Sequence, residues 1–374
     1  MNNVHQVMGV YFHIPWCDIK CAYCDFYSIP KKNVTLEEWQ DYLQKVQKDF
    51  ESKKDYFQKN RRVVSVYFGG GTPSKAPPFV IESLLSLVQK NLSTAANLEI
   101  TLEVNPESAF ESHIKEYATA GVNRIHAGVQ SRHWESLRYL GRLNTEASVL
   151  TLFQKIQKAG IKNYGMDIIT GIPGQKFSSI QEDLQWGISE GVSHISSYSL
   201  MYEEGTALKR LVDNHRKKKA STRRQQLHFD LVRQFLEAQG YSQYEVSNFA
   251  LPGKESIHNL IYWKYRPYLG VGVSAHSFTG FEKNYRMETL PDWGIQLEKG
   301  DAEVDPWIGH FRLRGPQNFM RSLRLLDGGQ RELYIRKLQN LEEAGFLQKS
   351  KSGLYQLTDS GIKFSDSMLL EMGK

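Results

Sequence analysis

The sequence predicts an α/β fold: a partial, TIM-type (β/α) barrel with a small helical, winged-helix-like domain at its C-terminal end. Three observations carry this. Six short apolar, β-prone runs recur between residues 9 and 202 with helix-prone stretches between them, and such alternation argues for right-handed βαβ units and a parallel sheet. The runs are nearly continuous in apolar residues, as in strands covered on their outer face. The last part of the chain reads instead as helix, hairpin-like wing and helix.

The first strand covers Gly9 to Ile14, and a polar, helix-prone run follows from Leu36 to about Lys59. Val63 to Gly69 is the second strand and ends in Gly69-Gly70-Gly71-Thr72-Pro73-Ser74. A helix over about Phe79 to Lys90 leads to the third strand, Leu98 to Val104, with Pro106 as its stop. Val122 to Gln130, Tyr164 to Gly174 and His194 to Tyr202 give strands four, five and six, with helices at Glu146 to Lys158 and Ser178 to Ile188. Ligand chemistry in such folds gathers at the C-terminal strand ends, and the candidate residues below fall there.

From Asp213 the composition changes. His215-Arg-Lys-Lys-Lys219, with Arg223 and Arg224, reads as a basic patch opening a long helix to about Ala238. A solvated helix face is the plain reading of such a run, and docking of an anionic ligand or partner is the other. Ser242 to Phe249 reads as a further strand, and His258-Asn-Leu-Ile-Tyr-Trp263 as a polar–aromatic loop. Leu338 to Gln348 and Gly353 to Gly361 supply the helix, wing and helix of the tail. The expected division is a core barrel over 1–210, an extension over 211–285 and a C-terminal domain over 286–374.

At 374 residues and 40% hydrophobic content the chain can bury one large core and a smaller one. A formal net charge of +6 favours anionic partners such as propionates, carboxylates or phosphates, and is too weak to argue for nucleic acid. Three cysteines without a disulfide-like pattern point to a reducing cytosol. Neither a signal-peptide pattern nor a bilayer-length apolar run is evident, so a cytoplasmic location is expected.

All three cysteines lie in one stretch, as Cys17-x3-Cys21-x2-Cys24. Soft thiolates select iron–sulfur, zinc or copper(I). Three on one loop can each take one iron of a cubane and leave the fourth iron open to an exchangeable chelator. A structural zinc site closes with four ligands; His13 is the nearest candidate for the fourth, and no second CxxC pair exists. Among the other candidates, the glycines of Gly69–Gly71 suit either an ordinary tight turn or close approach to a ligand. Glu103 can accept from a ribose hydroxyl or an ammonium group. Gln130, Arg142 and Asp167, taken alone, are polar residues at or near strand ends. His258 beside Tyr262 and Trp263 suits a core position or an axial haem ligand.

CxxxCxxC followed by an aromatic, after a leading strand, resembles the radical S-adenosylmethionine (SAM) superfamily. The string YFHIPWCDIKCAYCDF, with GGGTP and EVNP downstream, is similar to the branch of oxygen-independent coproporphyrinogen III oxidase and its haem-chaperone relatives. The resemblance implies a [4Fe–4S] cluster on Cys17, Cys21 and Cys24, with SAM chelating the open iron. It implies SAM contacts at Tyr11, Tyr23, Gly70, Gly71, Thr72, Glu103, Gln130, Arg142, Asp167 and Met201.

HNxxYW resembles the signature of the chaperones and implies haem binding at His258. Phe26 stands where the oxidase pattern has a further cysteine, and only sixteen residues precede Cys17 where the oxidase has a segment that helps shape its substrate site. The implied function is therefore haem binding and delivery. Decarboxylation of coproporphyrinogen III propionates is the rival, and radical modification of RNA a third reading. Whether the chain is an enzyme stays open. Implied partners are haem, a haem-acceptor protein (membrane-associated acceptors included) and an electron donor such as flavodoxin or ferredoxin.

Overall fold

The structure, a computed structural model, describes residues 6–58, 61–107, 111–264, 266–278, 283–285, 298–300 and 328–364. The main strands are β1 (Gln6–Ile14), β2 (Arg61–Gly70), β3 (Thr94–Val104), β4 (Arg124–Gln130), β5 (Asn163–Thr170), β6 (His194–Ser199), β7 (Asn248–Ala250), β8 (Tyr268–Val271) and β9 (His276–Phe278). The helices that matter here are α1 (Leu36–Lys53), α2 (Pro78–Asn91), α3 (Glu111–Thr119), α4 (Trp134–Leu140), α5 (Glu146–Lys158), α6 (Phe177–Ser189), α7 (Ala207–Asp213), α8 (Thr222–Ala238) and α9 (Ile257–Trp263).

These strands belong to one twelve-stranded sheet, in which they run in the order β9-β8-β1-β2-β3-β4-β5-β6-β7. From β8 to β6 every neighbouring pair is parallel, while β9 and β7 pair antiparallel at the two ends of that run. This is the expected partial barrel.

Its register explains the two faces. Phe12 pairs with Phe68, Phe68 with Leu102 and Leu102 with Ile125. All four are fully buried, and burial of each contributes roughly 1.5–3 kcal/mol. One residue along each strand, the chain turns its side chains to the other face. There Tyr11 pairs with Tyr67 and Tyr67 with Thr101, while Glu103 pairs with His126 and Asp167 with Ser196. The outer row is core and the inner row is polar.

The helices follow their sequence signals. Thr35 and Glu38 form a capping box at the start of α1, which buries Trp39, Tyr42, Val46 and Phe50 at helical spacing. On the same helix Asp49 and Lys53 form a buried ion pair. Lys53 Nζ donates to Gly270 O at 2.9 Å and Asp49 Oδ2 accepts from Gly272 N at 2.9 Å. This clamp ties the short strand β8 to α1.

Four expectations need correction. The basic run His215–Lys219 lies in the turn between α7 and α8, because α8 starts only after its N-cap Ser221. The expected strand Ser242–Phe249 is broken into a two-residue bridge, Ser242–Gln243, and β7, paired antiparallel. The HNxxYW string is a helix, α9, capped by Ser256, and not a loop. Strand six ends at Ser199, two residues short of Met201.

The tail contains a helix (Gly328–Glu343), a hairpin (Leu347–Lys349 with Tyr355–Leu357) and a short helix (Asp359–Lys363), the order expected of the winged-helix-like domain. Tyr334, Leu338, Leu347, Leu357 and Ile362 form its core, which packs on Phe229 and Val246. Arg233–Asp359 and Lys363–Asp230 tie it to α8. The start of the expected C-terminal domain falls largely outside the described residues. Among the described residues no helix is long and apolar enough to cross a membrane.

Candidate functional site

β1 hands the chain directly to the cysteine loop. Main-chain bonds fix that loop: Ile29 N donates to Pro15 O at 2.7 Å, Lys31 N to Cys17 O at 2.7 Å, Ala22 N to Leu140 O at 3.2 Å and Leu208 N to Ala22 O at 2.7 Å. Cys17 is buried, and Cys21 and Cys24 are half-buried. Thr72 Oγ1 donates to Cys17 Sγ at 3.3 Å, and Arg142 Nη1 to Cys21 Sγ at 3.5 Å. Burial pushes the Cys17 thiol up and the Cys24 thiol to about 11, with the neighbouring cysteines adding to both. Raised in this way, the thiols keep their protons until a bound cation displaces them.

The glycines after β2 bring its end against this loop. A Cβ at Gly70 (φ 114°) would stand 2.9 Å from the His13 ring, and one at Gly71 2.7 Å from Pro15 O. Two main-chain amides of this turn face the cysteine loop. Gly71 N donates to Ile14 O at 2.7 Å and Thr72 N to Trp16 O at 2.9 Å, so these two N–H groups hold the cysteine loop and are not offered to a ligand.

Cys17, Cys21 and Cys24 open onto one cavity of about 390 Å³, and Tyr23, Gly70, Gly71, Thr72, Glu103, Gln130, Arg142, Asp167 and Met201 line it too. Glu103 Oε1 accepts from Tyr67 Oη at 2.7 Å. Burial pushes its carboxyl up to about 7, against the pull of that hydrogen bond. Gln130 sits in the left-handed region (φ 66°), and its buried Oε1 has no hydrogen-bond partner. Arg142 donates to Asn144 Oδ1, Gly128 O and Asn105 as well as to Cys21. It braces the cysteine loop, and most of its donors are already committed to protein. Asp167 Oδ1 is 2.7 Å from His126 Nε2. Met201 is 60% exposed at the rim. Tyr11 alone of the expected contacts does not line the cavity; its ring stacks on Tyr67 instead, with centroids 6.2 Å apart.

Tyr67, Arg124, His126, His194 and Tyr198 also line the cavity and were not singled out from sequence. Their signal is alternation: Ser65 and Tyr67, Thr101 and Glu103, Arg124 and His126, and His194, Ser196 and Tyr198 occupy every second position of their strands.

The sequence profile of the radical SAM superfamily matches residues 11–187. The chain is 31% identical to the heme chaperone HemW of Escherichia coli, over 97% of each chain. The chain belongs to the radical SAM superfamily. It is also 33% identical to the HemW of Lactococcus lactis, over 97% of this chain and 93% of the other. It is 34% identical to the mitochondrial radical S-adenosyl methionine domain-containing protein 1 of Danio rerio, over 90% of this chain and 71% of that one. The coproporphyrinogen III oxidase HemN of Escherichia coli superposes with a TM-score of 0.80, covering 98% of this chain and 90% of its own at 20% identity. That likeness is one of fold.

Radical SAM membership implies a [4Fe–4S] cluster and SAM, and the residues present fit both. Three thiols share one cavity, and an orphaned buried amide oxygen and two carboxylates face the same space. Among the described residues no three His, Cys, Asp or Glu side chains close on a single point as a mononuclear ion requires. His13 is no help to zinc: its Nε2 is 2.9 Å from Tyr27 O and its Nδ1 3.3 Å from Tyr11 Oη.

His258, the expected haem ligand, lies inside the protein. Its imidazole is fully buried, with Nδ1 2.9 Å from Ser65 Oγ and Nε2 2.8 Å from Tyr262 Oη. Burial lowers its pKa to about 3. Both ring nitrogens have protein partners in this structure.

Proposed function

We propose that this chain is a haem chaperone, which binds haem and passes it to an acceptor protein. The observation that carries the reading is end-to-end similarity to the heme chaperone HemW, at 31% identity over 97% of both chains. Phe26, exposed at the cavity where the oxidase pattern expects a further cysteine, supports it. In this reading Cys17, Cys21 and Cys24 hold the [4Fe–4S] cluster. The cluster, when bound, supplies an open iron that SAM chelates and a route for one electron from a donor such as flavodoxin or ferredoxin.

Around it, this chain's own residues orient and exclude. Tyr23 walls the cluster loop from water. Gln130 Oε1 offers an acceptor, and Glu103 and Asp167 take ribose or ammonium donors. Arg142 keeps a positive charge beside Cys21. A reducing cytoplasm suits the three free thiols. Both ring nitrogens of His258 have protein partners, and the exposed His276 on β9 is a second imidazole to test as a haem ligand.

Anaerobic reconstitution, with haem binding and coproporphyrinogen III consumption measured side by side, tests the proposal. Retained haem with a stable Soret band and no decarboxylation is the expected result. Decarboxylation by the unmodified protein would establish the oxidase instead.

A further inference from the structure

The HNxxYW string is tied into the barrel by its own side chains. It forms α9 at the barrel end opposite the cysteine loop, near Arg124 and His194, which open β4 and β6. His258 and Tyr262 are one turn apart and hydrogen-bonded. The absence of a side chain at Gly9 admits the imidazole, since a Cβ there would stand 3.0 Å from its Cε1. Thus held between Gly9, Ser65 and Tyr262, the ring lies against Tyr67, with centroids 5.0 Å apart and planes at 31°. Tyr11 stacks on the same Tyr67 ring. The hydroxyl of Tyr67 donates to Glu103 Oε1 at 2.7 Å. Asn259 makes a parallel connection: its Nδ2 donates to Tyr244 Oη at 3.3 Å, and that oxygen is 2.8 Å from His194 Nε2. Both connections that start in α9, one through a ring contact and one hydrogen-bonded, end on cavity-lining side chains.

We propose that His258 is a positioning residue for the cavity: with Ser65 and Tyr262 it fixes the ring of Tyr67, and Tyr67 fixes the Glu103 carboxylate. The inference rests on the reading that Glu103 faces SAM. A hydrogen bond to a carboxylate favours its charged form, so a loosened Tyr67 leaves Glu103 protonated to higher pH. The other groups facing Glu103 are Tyr11 on β1, the Gly70 N–H on β2, His126 on β4, Asp167 on β5 and, from α9 itself, Tyr262.

SAM affinity of the reconstituted full chain, measured by equilibrium dialysis across roughly pH 6–9, tests this. Tyr67→Phe should move the midpoint of the pH dependence upward and weaken SAM roughly tenfold at neutral pH. His258→Ala should do the same in smaller measure. His258→Asn, whose amide can retain the Ser65 bond, should return towards wild type. The Soret band of bound haem should be unchanged in all three. A wild-type midpoint in His258→Ala, with or without a changed Soret band, would overturn the proposal. If His258→Ala does not fold, Tyr262→Phe removes only the hydroxyl that steadies the imidazole, and a wild-type midpoint there overturns it equally. Glu103→Gln separates the two readings. If that variant binds SAM as wild type does, the SAM role of Glu103 fails. Positioning is then read from the Glu103 carboxyl titration itself in 13C-glutamate-labelled protein, where an unshifted midpoint in Tyr67→Phe and His258→Ala overturns it.

Discussion

The two ends of this barrel are built by different means. At the cysteine end a loop is pinned by main-chain bonds, with Cys17 buried, Cys21 and Cys24 half-buried and all three lining the cavity. At the α9 end a helix is plugged into the sheet by buried side chains, and His258 meets Ser65 across 193 residues of sequence. The first end keeps its three thiols on one short loop. The second carries packing and, by our inference, reaches the chemistry only through Tyr67. Substitutions at the two ends should therefore fail in different ways.

The largest effect is expected at the cysteines. Replacing Cys17, Cys21 or Cys24 by Ala should abolish the broad charge-transfer absorbance after iron and sulfide reconstitution, because two thiolates cannot hold a cubane, while the apo-protein should stay folded. Two such variants that each still bound a full cubane's iron per chain would remove the cluster assignment.

The α9 end should show the reverse. His258→Ala empties a packed site and strands two buried hydroxyls, for a loss of about 3 kcal/mol. Phe26→Ala, at the exposed mouth, should stay within about 0.5 kcal/mol. Urea unfolding of the apo-proteins measures both, and equal losses would dissolve the contrast.

The two ends should also respond oppositely to pH. Glu103 is raised from its ordinary 4.5 to about 7. Between those values the folded chain keeps a proton that the unfolded chain has released, so stability falls as pH rises through that window. His258 is lowered from its ordinary 6.5 to about 3. Below 6.5 the unfolded chain takes up a proton that the folded chain refuses, so stability falls as pH drops. Glu103→Gln should therefore gain roughly 1–3 kcal/mol relative to wild type on going from acid to mildly alkaline buffer. His258→Asn should flatten the acid limb by up to about 1.4 kcal/mol per pH unit. Unfolding midpoints at both ends of the range decide this, and changes of the same sign in both variants would contradict it.

The smallest effect belongs to the tail. Asp359 is well exposed in its pair with Arg233, so Asp359→Ala should cost no more than about 1 kcal/mol by the same measurement. A larger loss would show that the tail is a structural part of α8.

What could be read from sequence follows the same division. The cysteine loop, the GGGTP turn and the six barrel strands were legible because each is a local string or run. β8 was missed because Tyr268-Leu-Gly-Val271 is short, glycine-bearing and held in place by Asp49 and Lys53 from α1. α9 was read as a loop because seven residues are too few to show a helical period. The basic run was assigned to a helix that begins only after Ser221. Reading the strands as apolar runs also hid the inner row, whose Tyr67, His126 and Tyr198 alternate with the core residues that dominate the pattern.

Gln130 has a consequence for how freely this site can vary. Its backbone occupies a conformation that suits glycine and tolerates asparagine, at a cost of roughly 1–2 kcal/mol for other residues. Its side chain meanwhile presents an orphaned amide oxygen to the cavity. The two demands pull substitution in opposite directions. In a saturation library at position 130, selection for thermal resistance alone should enrich glycine and asparagine. Selection for SAM retention should bring glutamine back, and a single residue winning both screens would show that the two demands do not conflict.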